Sequence, residues 1–432
     1  MFRANKAVLK DCKIYQMLAK HAKKKHLSFH TPGHKVGKWD ITELFYSDNL
    51  SAPSGCIAEA EKDIAQILGA YQSFILTDGS TSGVLSMLYA AKTLGVNSLA
   101  VIGAPHKSLF NGCRLMGITP LVCVNQNSGE IPNAYTMSAL KKEFFEVLEK
   151  ADALFVTSPD YYGNVADLVE MRAYCDERKK LLLIDGAHGG HLHFDKTIYA
   201  GAYADMWVDG VHKSLPAFTQ GAVLSVKNEK SAKALQEAVN IFRTTSPSYP
   251  IMASVEYAVK YPQNKKLEEN AKAYISTCAR VYPSKDWTKL CALFGQNACL
   301  AEKALQEKGI YPEFCDGNVV MLYLSPATKN REFNKLKKEL EKLFVKYPYI
   351  PKEKPEFTPT LLICVENQPT EWIDLEKADG KICAVNCGMF PPCTPLIWAG
   401  EKITQEKITL LQNAANVYGL IDKKILVVKE EE

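Results

Sequence analysis

The sequence predicts an α/β protein with a mostly parallel central sheet, followed by a smaller α+β domain. Three observations carry that expectation. Short apolar runs recur and end in small or polar residues: SFILTDGSTSG (73–83), SLAVIGAPHKS (98–108), LVCVNQ (121–126), ALFVTSPDYYG (153–163), LLLIDGAHGG (181–190) and MWVDGVHKS (206–214). Between them stand stretches such as SGVLSMLYAAKTLG (82–95) and MSALKKEFFEVLEKAD (137–152), apolar at three- and four-residue spacing. Runs apolar on both faces that alternate with amphipathic helices are what a parallel sheet wrapped by helices requires. Past about residue 240 the texture changes. RTTSPSYP (243–250) breaks the pattern and a long helical region follows to roughly residue 308. Strand-like VVMLYLS (319–325) and TLLICVE (360–366), proline-rich GMFPPCTPLIWAGE (388–401) and helical KITLLQNAANVYGLI (407–421) come after it. The expected division is an N-terminal arm and loop over 1–55, a large domain with its following helical region over 56–300, and a small α+β domain over 301–432.

Composition narrows the function classes. The 432 residues are 47% hydrophobic and 23% charged, with a formal net charge of +4 and no basic block, which argues against nucleic acid or a membrane surface as partner. Lys23 to Lys25, the densest basic cluster, reads as a solvated helix end. The opening MFRANKAVLKDCKIYQML carries a charge every few residues instead of an apolar signal core. No later run approaches the ~18 apolar residues of a membrane span, so a cytoplasmic location is expected. The 13 cysteines show no CxxC pair and no framework spacing, which suits buried reduced thiols. Cys383, Cys387 and Cys393 lack the pairing of metal ligands, and no metal is expected.

In a mostly parallel sheet ligands collect at the carboxyl ends of the strands. Here those ends carry Asp78, Gly79, Ser80, Thr81, His106, Ser158, Asp185 and Lys213. TDGSTSG (77–83) is a glycine- and hydroxyl-rich turn that opens a helix, and amides, dipole and hydroxyls together make a phosphate cradle of Gly79, Ser80 and Thr81. It lacks the GK[ST] of a P-loop and the GxGxxG of a dinucleotide turn; a plain capped helix start is the alternative. In LLLIDGAH (181–188) a strand's period of two puts Asp185 and Ala187 on one face. A buried carboxylate there needs a cationic partner, and a pyridinium nitrogen is one, with Ala187 leaving room for a flat ring. A loop-capping Asp is the bland alternative. Lys213 follows 28 positions later. A lysine in a dry pocket loses the solvation that favours its charge, and its neutral amine then forms a Schiff base with a carbonyl. A phosphate cradle, an Asp for a pyridine nitrogen and a Schiff-base lysine, in that order, describe a pyridoxal-phosphate site. His106 ends its strand where an imidazole can stack on a ring, and His188, His191 and His193 form HGGHLH without completing a metal shell.

Several of these stretches also carry a family resemblance. FHTPGHKVG (29–37), LTDGSTSGV (76–84), PHKS (105–108), TSPDYYG (157–163), DGAHGGHLHF (185–194), HKSLPAFTQ (212–220) and TTSPSY (244–249) resemble, in order, the motif series of the Orn/Lys/Arg decarboxylases in their short form. Those are bacterial fold-type-I pyridoxal-phosphate enzymes, and PPCTPLIWAGE (391–401) is similar to the family's C-terminal PPGIPxxxPGE element. The resemblance implies a fold-type-I large domain with pyridoxal 5'-phosphate as cofactor. It implies that Lys213 holds the cofactor, Asp185 pairs with the pyridine nitrogen, Ala187 packs on one ring face and His106 on the other. Ser80 and Thr81 hold the phosphate with His212 close by, and His188 lies near the cofactor's oxygen or the substrate carboxylate. It also implies a homodimer with shared active sites, to which His30, His34, Thr245 and Ser246 reach from the neighbour.

The activity so implied is decarboxylation of arginine, lysine or ornithine to the corresponding amine and CO2. Other fold-type-I reactions, as in an aminotransferase or another lyase, share the cofactor triple. A catalytically degenerate homologue serving as a binding or regulatory protein is the alternative from another class. Four departures bear on this: Gly186 where the family has glutamate, Gly210 where it has serine, Asp160 where it has threonine, and PCTP (392–395) where it has PGIP. Asp160 is thereby expected to bring a carboxylate near the cofactor. Asp48, Glu43 and Asp160 are the candidates to pair with a substrate's distal cation.

Overall fold

The protein, seen in a computed structural model, is described over residues 5–35, 37–103, 105–123, 148–351, 368–389, 395–414 and 416–429. Two short helices, α1 (Lys6–Asp11) and α2 (Lys13–Lys23), precede α3 (Cys56–Leu68) and the first strand, β1 (Gln72–Leu76). Then come α4 (Gly79–Thr93), β2 (Ser98–Ile102), α5 (Lys107–Met116), β3 (Thr119–Cys123), β4 (Ala153–Thr157), α6 (Leu168–Arg178) and β5 (Leu181–Gly186). The sheet is completed by β6 (Met206–Asp209), the single turn α7 (Val211–Ser214) and β7 (Ala222–Val226), and two helices follow, α8 (Glu229–Phe242) and α9 (Tyr249–Val259).

Seven strands pair in the order β1-β7-β6-β5-β4-β2-β3. The pairs among β2 to β6 are parallel, whereas β7 runs antiparallel to both β6 and β1. The link from β6 to β7, residues 210–221, holds only the single turn α7 and doubles back beside β6 without a crossover helix. The reversal has a consequence for the site. With β7 reversed between them, β1 and β6 point the same way, so β1, β2, β4, β5 and β6 all end at one edge.

The sheet is apolar on both faces because both are covered. Leu182, Ile184 and Trp207 face a core shared with α2, α3, α6 and α9. Leu183, Met206 and Val208 alternate to the opposite core with α4, α5 and α8. Helix α4 lies close on the sheet, since a Cβ at Gly83 would stand 2.6 Å from a Val208 methyl.

A second core begins at Leu267 and continues through Leu343. It is built from α10 (Lys265–Thr277), β8 (Lys289–Leu293), α11 (Ala298–Gln306), β9 (Phe314–Cys315), β10 (Val319–Tyr323) and α12 (Asn330–Lys346). Its strands form an antiparallel sheet in the order β8-β10-β9. Strand β8 thus interrupts the long helical region expected up to about residue 308, and the expected division at 300/301 falls within α11, with this core on both sides of it. The last core holds β11 (Thr370–Asp374), β12 (Cys387–Met389), β13 (Pro395–Ile397), α13 (Gln405–Asn413), β14 (Val417–Tyr418), β15 (Leu420–Ile421) and β16 (Lys424–Val428), in two three-stranded sheets. The strand expected at 360–366, most of the helix expected at 137–152, Cys393 and residues 392–394 of PCTP lie outside the described residues. Cys12, Cys113, Cys175 and Cys291 are buried free thiols. No described helix is long and apolar enough to cross a membrane.

Candidate active site

The common strand edge gathers the residues singled out in the sequence. After β1 the chain turns at Gly79, whose φ of +75° is a left-handed conformation that glycine adopts without strain. The Gly79 amide donates to the Gln220 carbonyl at 2.9 Å, so this residue shapes the turn and its N–H is not free for an anion. Ser80 and Thr81 follow in the first turn of α4, and Thr81 is exposed. Among the described residues, the buried hydroxyl oxygens of Thr77, Ser80 and Thr157 have no hydrogen-bond partner. Buried hydroxyls rarely stay so, and three at strand ends on one sheet edge are what a bound oxyanion would satisfy.

Asp185, next to last in β5, is buried, and its Oδ1 accepts from the Ala187 amide at 3.1 Å. Burial pushes its carboxyl up, and the Lys213 charge works against that rise. Lys213 sits in α7, directly beyond β6, with its Nζ 3.1 Å from His188 Nε2. His188 is buried, and burial followed by the charges of Lys213 and Lys289 holds it well below the ordinary histidine range. His106 caps α5, its Nδ1 accepting from the Ser108 amide at 3.2 Å, and burial with Lys213 and Lys107 pushes it down to about 4. Its ring is therefore neutral at pH 7. His212 donates Nδ1–H to the Gly221 carbonyl at 2.9 Å, and burial lowers it too.

The three histidines of HGGHLH separate. His188 turns to Lys213, His191 Nε2 pairs with Asp286 Oδ1 at 2.9 Å, and His193 Nδ1 bonds the Gly190 carbonyl at 2.7 Å. Among the described residues no group of three or more His, Cys, Asp or Glu converges as metal ligands would.

Two departures find a physical reason. A Cβ at Gly210 would run into the Ala187 carbonyl oxygen and stand 2.9 Å from Ser80 Oγ, so the partnerless Ser80 hydroxyl fills the place where a serine was expected. A Cβ at Gly186 would press on β6, at 3.0 Å from the Val208 carbonyl and 3.1 Å from Asp209 Oδ1.

The expectation that Asp160 brings a carboxylate to the cofactor is corrected. Asp160 is buried in its own turn, where Oδ1 accepts from the Tyr162 and Asn164 amides and Oδ2 from Asn164 Nδ2, each at 2.9 Å. Burial pushes it up to about 6. Asp48 is likewise spent on backbone, since its Oδ2 accepts from the amides of Gly55 and Ile57 at 2.8 Å as it caps α3. Glu43 accepts from the Thr42 hydroxyl at 2.8 Å.

Of the residues expected to serve a neighbour, Thr245 and Ser246 are exposed beside this chain's own cradle, where the Thr244 amide donates to Asp78 Oδ2 at 3.2 Å. His30 and His34 line a cavity of about 450 Å³ on the arm, together with His21, Lys24, His26 and Lys38.

Sequence reasoning missed three side chains beside His188. The Tyr161 ring lies 4.5 Å from the imidazole, Tyr323 Oη is 3.4 Å from Nδ1, and Lys289 Nζ is 3.4 Å from the His188 carbonyl. One signal was available for Lys289: a charge at the head of the apolar run KLCAL.

Comparison with known proteins bears on the family and the fold. Residues 38–284 match the model of "Orn/Lys/Arg decarboxylase, major domain". The chain is 29% identical to the uncharacterized protein YaaO of Bacillus subtilis over 97% of this chain and 99% of that one. It is 27% identical to an arginine decarboxylase of Bacillus anthracis over 92% of each. Among solved structures, the constitutive lysine decarboxylase of E. coli superposes with a TM-score of 0.75 at 18% identity, covering 98% of this chain and 82% of that one. A structure of SPT with PLP gives a TM-score of 0.54 at 14% identity over 79% and 86% of the two chains. At these identities the structures show the fold, which is that of the fold-type-I pyridoxal-phosphate enzymes.

Proposed function

The chain belongs to the Orn/Lys/Arg decarboxylase family, and from that premise we propose that it is a pyridoxal-phosphate-dependent carboxy-lyase that removes CO2 from arginine, lysine or ornithine. Arginine is the amino acid to test first, because relatives aligned over 92% of both chains include an arginine decarboxylase. The observation that carries the reading is the corner of Asp185, Lys213 and the three partnerless hydroxyls. It holds a buried carboxylate with an amine's charge acting on it, and oxygen atoms that have no hydrogen-bond partner among the described residues.

These residues fit the cofactor. Asp185 suits a protonated ring nitrogen, since burial leaves its carboxylate in want of a cation. Ser80, Thr77 and Thr81 suit the phosphate, the neutral His106 ring suits one face of the pyridine, and Ala187 leaves the other face room. When bound, pyridoxal phosphate supplies an aldehyde for amines to condense with and a ring that takes up the electrons left by CO2.

The chain's own residues do the rest. Lys213 offers its amine, and His188 Nε2 holds one N–H of that amine. Asp185 stabilises positive charge at the ring nitrogen as negative charge develops on the reacting carbon. A proton for that carbon comes from Lys213 or a histidine beside it. The working form under this reading is a homodimer. In it, His30 and His34 of the arm would reach the neighbour's site.

The test is direct. Purified protein with pyridoxal phosphate is given arginine, lysine and ornithine separately, and CO2 and the matching amine are measured. One of the three should yield both, and Lys213→Ala should lose the product and the protein-bound visible absorption together. A keto acid in place of CO2 would indicate transamination, and no product from any of the three would favour a degenerate homologue.

A further inference from the structure

His188 is met by a side chain from beyond residue 284, where the match to the family model ends. Tyr323 closes β10 in the second core, yet its hydroxyl lies 3.4 Å from His188 Nδ1. A phenol has one hydrogen to donate. Tyr323 donates it to the Tyr161 carbonyl at 3.0 Å. Toward His188 the phenol oxygen is left with lone pairs alone, so Nδ1 must be the donor and carry the ring's proton. In a neutral imidazole the other nitrogen is then an acceptor. That nitrogen, Nε2, is the one 3.1 Å from Lys213 Nζ. The opposite tautomer would make Tyr323 give up a 3.0 Å bond for one of 3.4 Å.

The support behind Tyr323 is built to hold it. Lys289, whose side chain is wholly buried, places its ammonium 4.2 Å from the Tyr323 ring centre and 3.4 Å from the His188 carbonyl. The same ammonium reaches Thr288 Oγ1 at 3.1 Å and Asp286 Oδ2 at 3.4 Å. Asp286 in turn takes His191 Nε2 at 2.9 Å and the Thr288 hydroxyl at 2.6 Å. One cation thus fixes the phenol and the backbone of the imidazole it addresses.

We infer that Tyr323, held by Lys289, is a positioning residue for the proposed reaction: it fixes the His188 tautomer whose Nε2 accepts from Lys213, and so aims the Lys213 amine. A strand of the second domain thereby sets the direction of the amine in the first. The inference rests on the decarboxylase reading for its kinetic part, whereas its structural part stands without it.

The test uses Tyr323→Phe, which keeps the ring against Lys289 and removes only the oxygen. In full-length protein labelled with 15N-histidine, NMR should show His188 with its proton on Nδ1, the resonance being assigned by its absence in His188→Gln. In Tyr323→Phe that tautomer should give way to a mixture or to the Nε2-protonated form. With the amino acid that proves to be the substrate, kcat should fall up to about 100-fold with KM within about twofold, the cost of a small misplacement of a reacting group. A His188 proton on Nε2 in the parent protein would overturn the inference, as would a Tyr323→Phe variant with unchanged tautomer and unchanged kcat. Failure to release CO2 from any basic amino acid would instead defeat the proposed function, and the NMR result would still decide the tautomer.

Discussion

Asp185 and Asp286 are both buried carboxylates, one at the strand ends of the large sheet and one just before β8 of the second core, and the chain treats them in opposite ways. Asp286 accepts from His191, from the Thr288 amide and from the Thr288 hydroxyl, and stands beside Lys289. Burial opposes its charge, but His191 and Lys289 outweigh burial and hold it well below the usual carboxylate range. Asp185 has the Ala187 amide and the more distant influence of Lys213, and burial wins, so its carboxyl is raised. A carboxylate whose partners are supplied by the fold is spent on structure. One left short of partners is available to something the chain binds.

Exchanging each acid for its amide breaks the comparison most directly. Asp185→Asn should cost about 10²- to 10³-fold in decarboxylation, through loss of charge stabilisation where charge develops. Its melting temperature should stay the same or rise. Asp286→Asn should do the reverse, lowering stability by about 3–5 kcal/mol because Lys289 is left buried without its counter-charge. The activity of molecules still folded should fall far less than in Asp185→Asn. Paired measurements of product release and denaturant unfolding decide it, and swapped outcomes would mean the roles are reversed.

The partnerless hydroxyls sharpen the same contrast. Ser80→Ala should weaken pyridoxal-phosphate binding by about 10- to 100-fold, the worth of a hydrogen bond to a charged group, as read by equilibrium dialysis. Restoring the expected serine should not help. Gly210→Ser forces a Cβ against the Ala187 carbonyl and should cost about 1–3 kcal/mol of stability. A Gly210→Ser protein that binds cofactor more tightly at full stability would refute the steric account.

What the sequence revealed and what it hid divide along the range of the interactions. Strands β2, β4, β5 and β6, all of β1 but Gln72, and the start of α4 lie within the expected stretches, because period and turn residues are local properties. Asp185, His188 and Lys213 come to one edge for the same reason, the first two from the end of β5 and Lys213 from the turn beyond β6. The antiparallel β7 was not anticipated, nor was the second core's claim on residues before 300, since pairing partners are chosen across long separations. His188 and Tyr323 are 135 positions apart, and no local pattern couples them. HGGHLH shows the converse, as three histidines within six residues go to three unrelated partners. Asp160 was misjudged because a turn's own amides satisfy it.

Asp209 offers a pH-dependent version of the contrast. Tyr199 Oη at 2.7 Å and Trp207 Nε1 at 3.0 Å both donate to its Oδ2, while Oδ1 is buried with no partner among the described residues. Burial pushes this carboxyl up to about 7. The folded chain therefore keeps a proton there that the unfolded chain loses from about pH 4 upward. Its contribution to stability is full below about pH 4 and is lost as pH rises through about 7. Asp209→Asn should remove that dependence, leaving the variant more stable than the parent at pH 8 by on the order of 1–3 kcal/mol. Unfolding at pH 5, 6, 7 and 8 checks this, and parallel stability curves for the two proteins would count against it.

Asp48 gives the smallest expected effect and the cleanest separation of the two kinds of acid. From sequence alone it was a candidate to meet a substrate's distal cation, yet its oxygens face inward, accepting from the amides of Asn49, Ser54, Gly55 and Ile57. Burial alone would raise its carboxyl, but those donors together lower it. It therefore ties the loop before α3 to the start of that helix, and its charge also opposes the helix dipole favourably. Asp48→Ala should cost about 1 kcal/mol of stability, in the range of a lost helix cap. Because the cap is structural, KM for each basic amino acid should keep its value, and Asp48→Asn should recover part of the lost stability. A KM raised tenfold for one amino acid alone, at unchanged stability, would move Asp48 from the served acids to those that bind.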